Sequence, residues 1–178
     1  MVDNYIMLDG RKFEIDEKNL MLLRAVVGEE KKEKENPFTR ENGQMYYYIS
    51  GFGSVAFSSE CRTNTDDNRY EVGNYSTDEK LMEQRALHET LNRLLWRFSK
   101  VQGDDEYDKT WNNSYKHWYI YIDKKYQEVK ISWSTRVKCF NTIYFSSYEL
   151  ASEAIAKVVI PFMAQNPNFN LFEDPEKR

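Results

Sequence analysis

A short polar motif occurs twice in this sequence, and each copy directly follows an aromatic residue. The first copy spans residues 76–79 after Tyr75, and the second spans residues 146–149 after Phe145, about 70 residues later. Both have the S-x-x-E spacing of a capping box, in which the serine and glutamate side chains satisfy backbone N–H groups at the start of a helix. The repetition predicts two helices that begin at equivalent points of a degenerate internal repeat.

Both predicted helices carry apolar residues at helical spacing. The first runs over residues 77–100, and its apolar stripe consists of Leu87, Leu91, Leu94, Leu95 and Phe98. The stripe of the second consists of Ala151, Ala154, Ile155, Val158 and Phe162. A stripe of this kind is typical of a helix that buries one face against another layer. Pro161 is expected to end or kink the second helix, because proline has no backbone N–H to donate.

Strand-forming residues precede each predicted helix in the same order. In the first copy, strands are predicted at residues 45–50, 54–57 and 69–75, with a polar, turn-rich segment at residues 61–68. In the second copy, strands are predicted at residues 117–123, 128–134 and 138–145. Each copy is therefore predicted to be a β-β-β-α unit. We expect an α+β fold in which antiparallel sheets pack against the two long helices.

A further segment precedes the repeat. It is predicted to contain a short hairpin within residues 5–15, a helix from residue 16 and a charged linker at residues 29–35. The predicted divisions are residues 1–44, 45–102 and 103–178. Because 40% of the residues are apolar and 15% are aromatic, we expect these parts to share a packed core in one globular unit.

The residue types that build catalytic and metal sites are sparse. The histidines are His88 and His117, and the cysteines are Cys61 and Cys139. Their spacing matches no zinc motif and no nucleophile signature, which favours packed or solvent-facing side chains. We expect no cofactor and no enzymatic activity, with a metal nuclease built on carboxylates as a remaining alternative. The chain has no signal-peptide pattern and no apolar run of membrane-spanning length, which predicts a cytoplasmic protein without a membrane partner.

Four carboxylates crowd into the segment between the two repeat copies. They belong to Asp104, Asp105, Glu106 and Asp108. The cluster lacks the alternating oxygen ligands and central glycine of a calcium loop, so a solvated connection is the simplest interpretation. An acidic loop is also able to compete for a basic groove that normally receives a nucleic-acid backbone. These four residues are therefore a candidate partner-binding site.

The stretch from residue 109 to residue 140 is basic and aromatic, although the whole chain has a formal charge of −4. Strand-borne aromatic rings beside lysines allow single-strand binders to stack bases and contact phosphates. The candidate residues for such a face are Lys116, Trp118, Tyr121, Lys124, Lys125, Lys130, Trp133 and Arg136. In the alternative interpretation the rings fill the core and the lysines protect sheet edges. Tyrosine-rich surfaces would also suit a homodimer.

Three segments carry a resemblance to a known family. They read NYSTDEKLMEQRALHETLNRLLWRFS at residues 74–99, IYFSSYELA at residues 143–151 and PFMA at residues 161–164. They resemble a family of small uncharacterised proteins carried by prophages, plasmids and other mobile genetic elements of gut bacteria, a group that includes type II-A anti-CRISPR proteins. The resemblance extends from residue 45 to residue 169 and rests mainly on helix caps and core positions.

The resemblance implies a phage or mobile-element protein that acts inside the bacterial host as a stoichiometric inhibitor. Its partner would be a type II RNA-guided DNA nuclease, with or without guide RNA, and binding would block DNA binding or cleavage. The family offers no catalytic residue to carry over, and its acidic segments would mimic the nucleic acid that the nuclease channel receives. Inhibition by binding is the leading hypothesis, and a nucleic-acid-binding module that uses the basic, aromatic face is the alternative.

Overall fold

The computed structural model describes residues 5–8, 11–14, 16, 18–19, 36–102 and 111–171. The chain divides into two compact units, Met1–Asn36 and Pro37–Arg178. In the first unit, strands β1 (Tyr5–Leu8) and β2 (Arg11–Glu14) form an antiparallel hairpin, which confirms the predicted one. Most of the predicted N-terminal helix, and the charged linker at residues 29–35, lie outside the described residues.

The larger unit begins with a second hairpin, made of β3 (Met45–Ile49) and β4 (Val55–Ser59). The strands pair antiparallel, with Tyr47 opposite Phe57, as the strand-forming residues predicted. The turn between them is closed by the backbone N–H of Ser50, which donates to the carbonyl of Ser54 over 2.8 Å. Strand-forming residues separated by two glycines are typical of this geometry.

The next segment corrects the sequence prediction. A helix, α1 (Asn64–Glu71), occupies the polar segment predicted as turns and the start of the predicted third strand. The physical reason is a capping box formed by Thr63 and Asp66. The Thr63 hydroxyl accepts the N–H of Asp66 over 3.3 Å, and the Asp66 carboxylate accepts the N–H of Thr63 over 3.0 Å. Residues 69–75 therefore do not form a strand. The first copy of the internal repeat has two strands instead of the predicted three.

The long helix α2 (Glu79–Val101) follows, but its cap differs from the predicted one. The Asp78 carboxylate, and not the Ser76 hydroxyl, accepts the N–H of Leu81 over 3.0 Å. Ser76 is buried, and its hydroxyl accepts the N–H of Asp78 over 3.0 Å. Ser76 thus holds the backbone of the N-cap residue in place. Asp78 is thus the N-cap residue, whose short acidic side chain satisfies an orphan donor of the first turn.

The second half of the larger unit repeats the hairpin and helix. Strands β5 (His117–Asp123) and β6 (Glu128–Ser134) have the predicted bounds, whereas β7 spans only Tyr144–Phe145 of the strand predicted at residues 138–145. The three strands form one antiparallel sheet in the order β6-β5-β7. A helix then begins at Tyr148, and its cap lies one residue later than the predicted Ser146, because the Ser147 hydroxyl accepts the N–H of Leu150 over 3.1 Å.

That last helix does not end at the proline. It runs as α3 (Tyr148–Ala154), a π-helical turn (Ile155–Val159) and α4 (Ile160–Gln165). Pro161 has no N–H to give to the carbonyl four residues earlier, and the wider π-helical turn lies directly before it. The proline is thus accommodated by a local widening of the helix and does not terminate it.

One core joins α2, the α3–α4 helix and one face of the three-stranded sheet. Its buried members are Leu91, Leu95, Phe145, Ala151, Ala154, Val159, Phe162, Phe169 and Leu171. A smaller cluster joins Ile49 of β3 to Met82 and Ala86 of α2. Helices packed on antiparallel sheets confirm the predicted α+β class. Among the described residues, no helix has the length and apolar character needed to cross a membrane.

Candidate nucleic-acid interface

The three-stranded sheet has a core face and an outer face. Side chains alternate along a strand, so residues 118, 120 and 122 of β5 share a face. Trp118, Ile120 and Ile122 pack against the core, together with Val129 and Ile131 of β6. In the pairing register Ile120 lies opposite Ile131 and Trp118 lies opposite Trp133, so Trp133 belongs to the same core side. The other face carries residues 117, 119 and 121 of β5 and is called the outer face below.

The aromatic residues predicted as one nucleic-acid face fall on both sides of the sheet. Trp118 and Trp133 are cross-strand neighbours on the core side, whereas Tyr121 and Lys130 are neighbours on the outer face. Lys124 and Lys125 lie in the turn between β5 and β6, and Arg136 is exposed in the loop after β6. The structure therefore places Tyr121 and Lys130 together on the outer face, Lys124 and Lys125 at the turn, and the two tryptophans on the other side.

Lys116 accompanies the two tryptophans at the edge of the core side. Its ammonium nitrogen lies 4.7 Å from the ring centroid of Trp133 and 5.7 Å from that of Trp118. Trp133 remains 47% exposed, whereas Trp118 packs edge-on against Tyr148 of α3. The core interpretation thus applies to Trp118, and Lys116 and Trp133 form a cation–π contact at the rim of the core.

The outer face carries a continuous row of rings, most of which the predicted set omitted. Trp111 stacks on His117 with centroids 3.7 Å apart and planes 11° apart. Tyr144 meets Trp111 edge-on at 5.1 Å and Tyr119 at 5.7 Å. Tyr121 continues the row, with its centroid 6.3 Å from that of Tyr119. The sequence signal that would have identified the row is the two-residue spacing of residues 117, 119 and 121, once their side of the sheet is known.

The row is buried at one end and open at the other. His117 and Tyr144 are nearly inaccessible, and the His117 Nε2 atom lies 2.9 Å from the carbonyl oxygen of Asn112. The N–H of Cys139 donates to the Tyr144 hydroxyl oxygen over 2.8 Å, and burial raises the pKa of that hydroxyl. Tyr119 is partly exposed and Tyr121 is 38% exposed. The buried rings pack against one another at one end of the row, and the partly exposed rings at the other end offer flat surface to a ligand.

Charge gathers around the open end of the row. Lys130 Nζ lies 2.7 Å from Asp123 and 3.0 Å from Glu128, and it also lies 4.6 Å from the ring centroid of Tyr126. The hydrogen bond from Lys130 lowers the pKa of Asp123, which keeps that carboxylate ionised. Residues 111–145 hold six lysines and arginines against these two carboxylates, in a chain whose formal charge is −4. The sheet is thus a positive region of an acidic protein.

The larger unit also contains a buried polar network, centred on the first hairpin. Arg40 forms a bidentate ion pair with the fully buried Glu60 at 2.7 and 2.9 Å and also contacts Asp67 at 2.8 Å. The Tyr46 hydroxyl donates to the buried Asp66 over 2.6 Å and accepts from Arg69 over 2.7 Å. Because these charges are paired and hydrogen-bonded, the arrangement is that of a structural network.

Three further side chains are of types that act in catalysis, namely His88, Cys61 and Cys139. His88 packs edge-on against Phe169, and burial lowers the pKa of its imidazole. Cys61 and Cys139 are free and exposed. Within residues 36–102 and 111–171, no group of three or more histidines, cysteines, aspartates or glutamates is placed to hold a metal ion. The outer face is therefore the strongest candidate site of the described chain.

The predicted acidic site at Asp104, Asp105, Glu106 and Asp108 lies outside the described residues. The comparisons with known proteins add no identification. No family model, no curated protein and no solved structure matches this chain.

Proposed function

We propose that this chain is a binding protein whose outer sheet face binds single-stranded nucleic acid. The observation that carries the proposal is the partial exposure of Tyr119 and Tyr121 on the side of the sheet opposite the core, where Lys130 lies across the strands from Tyr121. Stacking of one base on an aromatic ring contributes about 1–3 kcal/mol, and nearby cations contact the backbone phosphates. This face combines both elements on one rigid sheet.

A single strand fits this surface better than a duplex. The rings of Tyr119 and Tyr121 lie on a strand surface, and the bases of a duplex are already stacked on one another. An unpaired base has a free π-face and is able to lie against such a ring without breaking base pairs. We therefore expect DNA and RNA single strands to bind more tightly than duplexes of the same length.

The test is fluorescence anisotropy with labelled ten-nucleotide DNA and RNA strands and the matching duplexes. Tyr121→Ala should weaken single-strand binding about tenfold, since it removes one stacking surface. Phe52→Ala is the matched control, because Phe52 is fully exposed at the turn of the other hairpin. Equal affinity of wild type and Tyr121→Ala, or no binding by wild type, contradicts the proposal.

A second candidate function is stoichiometric inhibition of a type II RNA-guided nuclease. It is supported by the family resemblance of residues 74–99, 143–151 and 161–164. It is also supported by the charge distribution, because the residues outside 111–145 carry 19 lysines and arginines against 27 aspartates and glutamates. An acidic surface of this kind is able to oppose a channel that receives nucleic acid.

This second function is tested by mixing the protein with a guide-loaded type II nuclease, followed by size exclusion and a DNA-cleavage assay. Inhibition predicts a stable complex and suppressed cleavage without affinity for free nucleic acid. Reversing the charge at Asp104 and Asp105 with lysine should abolish the complex. A complex that survives this reversal excludes the acidic loop as the binding site.

A further inference from the structure

The two hairpins of the larger unit are structural equivalents. Ser76 pairs antiparallel with Tyr47 of β3 through two backbone hydrogen bonds, of 2.7 and 3.1 Å. Phe145 pairs antiparallel with Trp118 of β5 in the same way. In each case a short third segment lies beside the first strand of a hairpin, and a helix begins three residues later. The internal repeat thus survives in the pairing, although the first copy has an isolated bridge in place of β7.

This pairing sets three ring positions of one hairpin against three of the other. Counting from the paired residues, Tyr46, Tyr48 and Tyr75 correspond to His117, Tyr119 and Tyr144. Side chains alternate along a strand, so each triplet lies on the face opposite its packed neighbours. In the first copy these neighbours are Tyr47 and Ile49, which pack on α2. In the second copy the neighbour is Trp118, which packs in the core that contains α2. The first copy is therefore an internal template for the outer face.

In the first copy, helix α1 covers these rings. The Arg69 guanidinium carbon lies 3.5 Å from the ring centroid of Tyr48, and one of its nitrogens donates to the Tyr46 hydroxyl over 2.7 Å. Asp66 of the same helix accepts from Tyr46, which places a carboxylate beside the arginine. The position above Tyr48 is thus filled by a flat, delocalised group whose charge is balanced nearby.

The connection at residues 135–143 of the second copy contains no helix that would correspond to α1. Fifteen residues, 60–74, connect β4 to the third segment of the first copy, and they include α1. Nine residues, 135–143, make the same connection in the second copy, and none of them is helical. Among the described residues, the ring neighbours of Tyr119 are Tyr121 and Tyr144, tilted by 55° and 72°, so neither stacks flat on it. The partly exposed Tyr119 therefore has, among the described residues, no flat-stacked ring or guanidinium that corresponds to Arg69 above Tyr48.

We propose that a nucleobase of the bound strand takes the position above Tyr119, where it stacks as Arg69 stacks above Tyr48. This inference rests on the proposed nucleic-acid binding and adds the position at which a base is held. The positive charge of residues 111–145 favours a nucleobase, and not a second arginine, as the group above Tyr119. In the first copy the Tyr46 hydroxyl that accepts from Arg69 also donates to Asp66, which supplies a carboxylate near the arginine, whereas residues 111–145 have an excess of lysines and arginines that attracts phosphate.

The first arm of the experiment uses nucleotide probes and the wild-type protein. Adenosine monophosphate and ribose 5-phosphate carry the same phosphate, but only the first has a base. Aromatic-region NMR spectra are recorded during titration with each, and the Tyr119 ring signals are assigned from Tyr119→Phe. Adenosine monophosphate should shift the Tyr119 ring signals upfield, and ribose 5-phosphate should not. Equal effects of the two probes overturn the inference, because they show recognition of phosphate alone.

The second arm measures affinity for a ten-nucleotide single strand. Tyr119→Leu should weaken binding about tenfold and Tyr119→Phe less than twofold, because a phenyl ring keeps the stacking surface. Phe52→Leu should leave binding unchanged, and circular dichroism checks the fold of every variant. Unchanged affinity of Tyr119→Leu overturns the inference while the proposed function stands. A wild type that binds no single strand overturns both, and the spectra of the first arm give a readout on the wild-type protein itself.

Discussion

Tyr46 is the residue at which the polar network around the first hairpin meets its aromatic core. Its ring stacks on Tyr75 at 4.2 Å, and its hydroxyl lies between Asp66 and Arg69. Tyr46→Phe removes the hydroxyl and leaves a buried carboxylate short of one donor, which should lower the free energy of unfolding by about 2 kcal/mol. Urea denaturation measures the loss, and Tyr121→Phe, on a partly exposed ring, is the control. An effect no larger than that of the control contradicts the assigned role.

The same network should make stability depend on pH. The hydrogen bond from Arg40 lowers the pKa of Glu60, and the hydrogen bond from Tyr46 lowers the pKa of Asp66 well below its usual range. As pH falls below about 5, the unfolded chain takes up protons at these carboxylates before the folded protein does, so stability is lost. Urea denaturation from pH 6 to pH 3 should show this decline, with a shallower slope for Asp66→Asn. Equal slopes for the two proteins contradict it.

Truncation of a side chain on one face of β5 should lower stability much more than truncation on the other face. Trp118→Ala removes a ring that packs against the core and should cost about 3 kcal/mol of stability. Tyr121→Ala removes a partly exposed ring of the outer face and should change stability by less than about 0.5 kcal/mol. Thermal denaturation of the two variants distinguishes the faces. A stable Trp118→Ala protein would contradict the assignment of this ring to the core.

At the scale of elements, the cap of α2 gives the sharpest comparison. The Asp78 carboxylate accepts the N–H of Leu81 at the first turn of this 23-residue helix. Asp78→Ala should therefore lower the free energy of unfolding by about 1 kcal/mol, whereas Asp78→Asn, which keeps an acceptor oxygen, should retain most of it. Chemical denaturation compares the two variants. Equal losses would show that the charge, and not the cap hydrogen bond, stabilises this end.

Elements with one unambiguous local signal were predictable from the sequence. The bounds of β5 and β6 were predicted because each strand is rich in β-branched and aromatic residues and a turn separates them. Helix α1 was missed because its box has Asp66 where glutamate or glutamine is usual and because its residues carry almost no apolar stripe. The predicted third strand is limited to Tyr144–Phe145, because residues 140–141 form a turn in which Asn141 has a positive φ of 58°.

The sides of the candidate site were not predictable in the same way. The strand HWYIYID has bulky residues at both alternations, so the pattern alone does not tell which rings face the core. Contact with the helices decides it, since Trp118, Ile120 and Ile122 pack in the core that contains Leu91 and Leu95. The predicted interface therefore combined residues from both faces. Tyr121 and Lys130 belong to the outer face, and Tyr119 was omitted from the set.

For the whole molecule, the uneven charge predicts how binding depends on salt. A chain of net charge −4 repels nucleic acid at a distance, whereas residues 111–145 attract it locally through six lysines and arginines. If the strand meets about three of these cations, log affinity should fall with log salt at a slope of about −2, because single strands release about 0.7 counterion per phosphate contact. Titrations between 50 and 300 mM salt measure the slope by anisotropy. The double variant Lys124→Ala, Lys125→Ala should make the slope shallower by about 1.4 if both lysines contact phosphates, whereas Tyr119→Leu should weaken binding at every salt concentration and leave the slope unchanged. A slope near zero for wild type would contradict phosphate contact and leave stacking as the sole source of affinity.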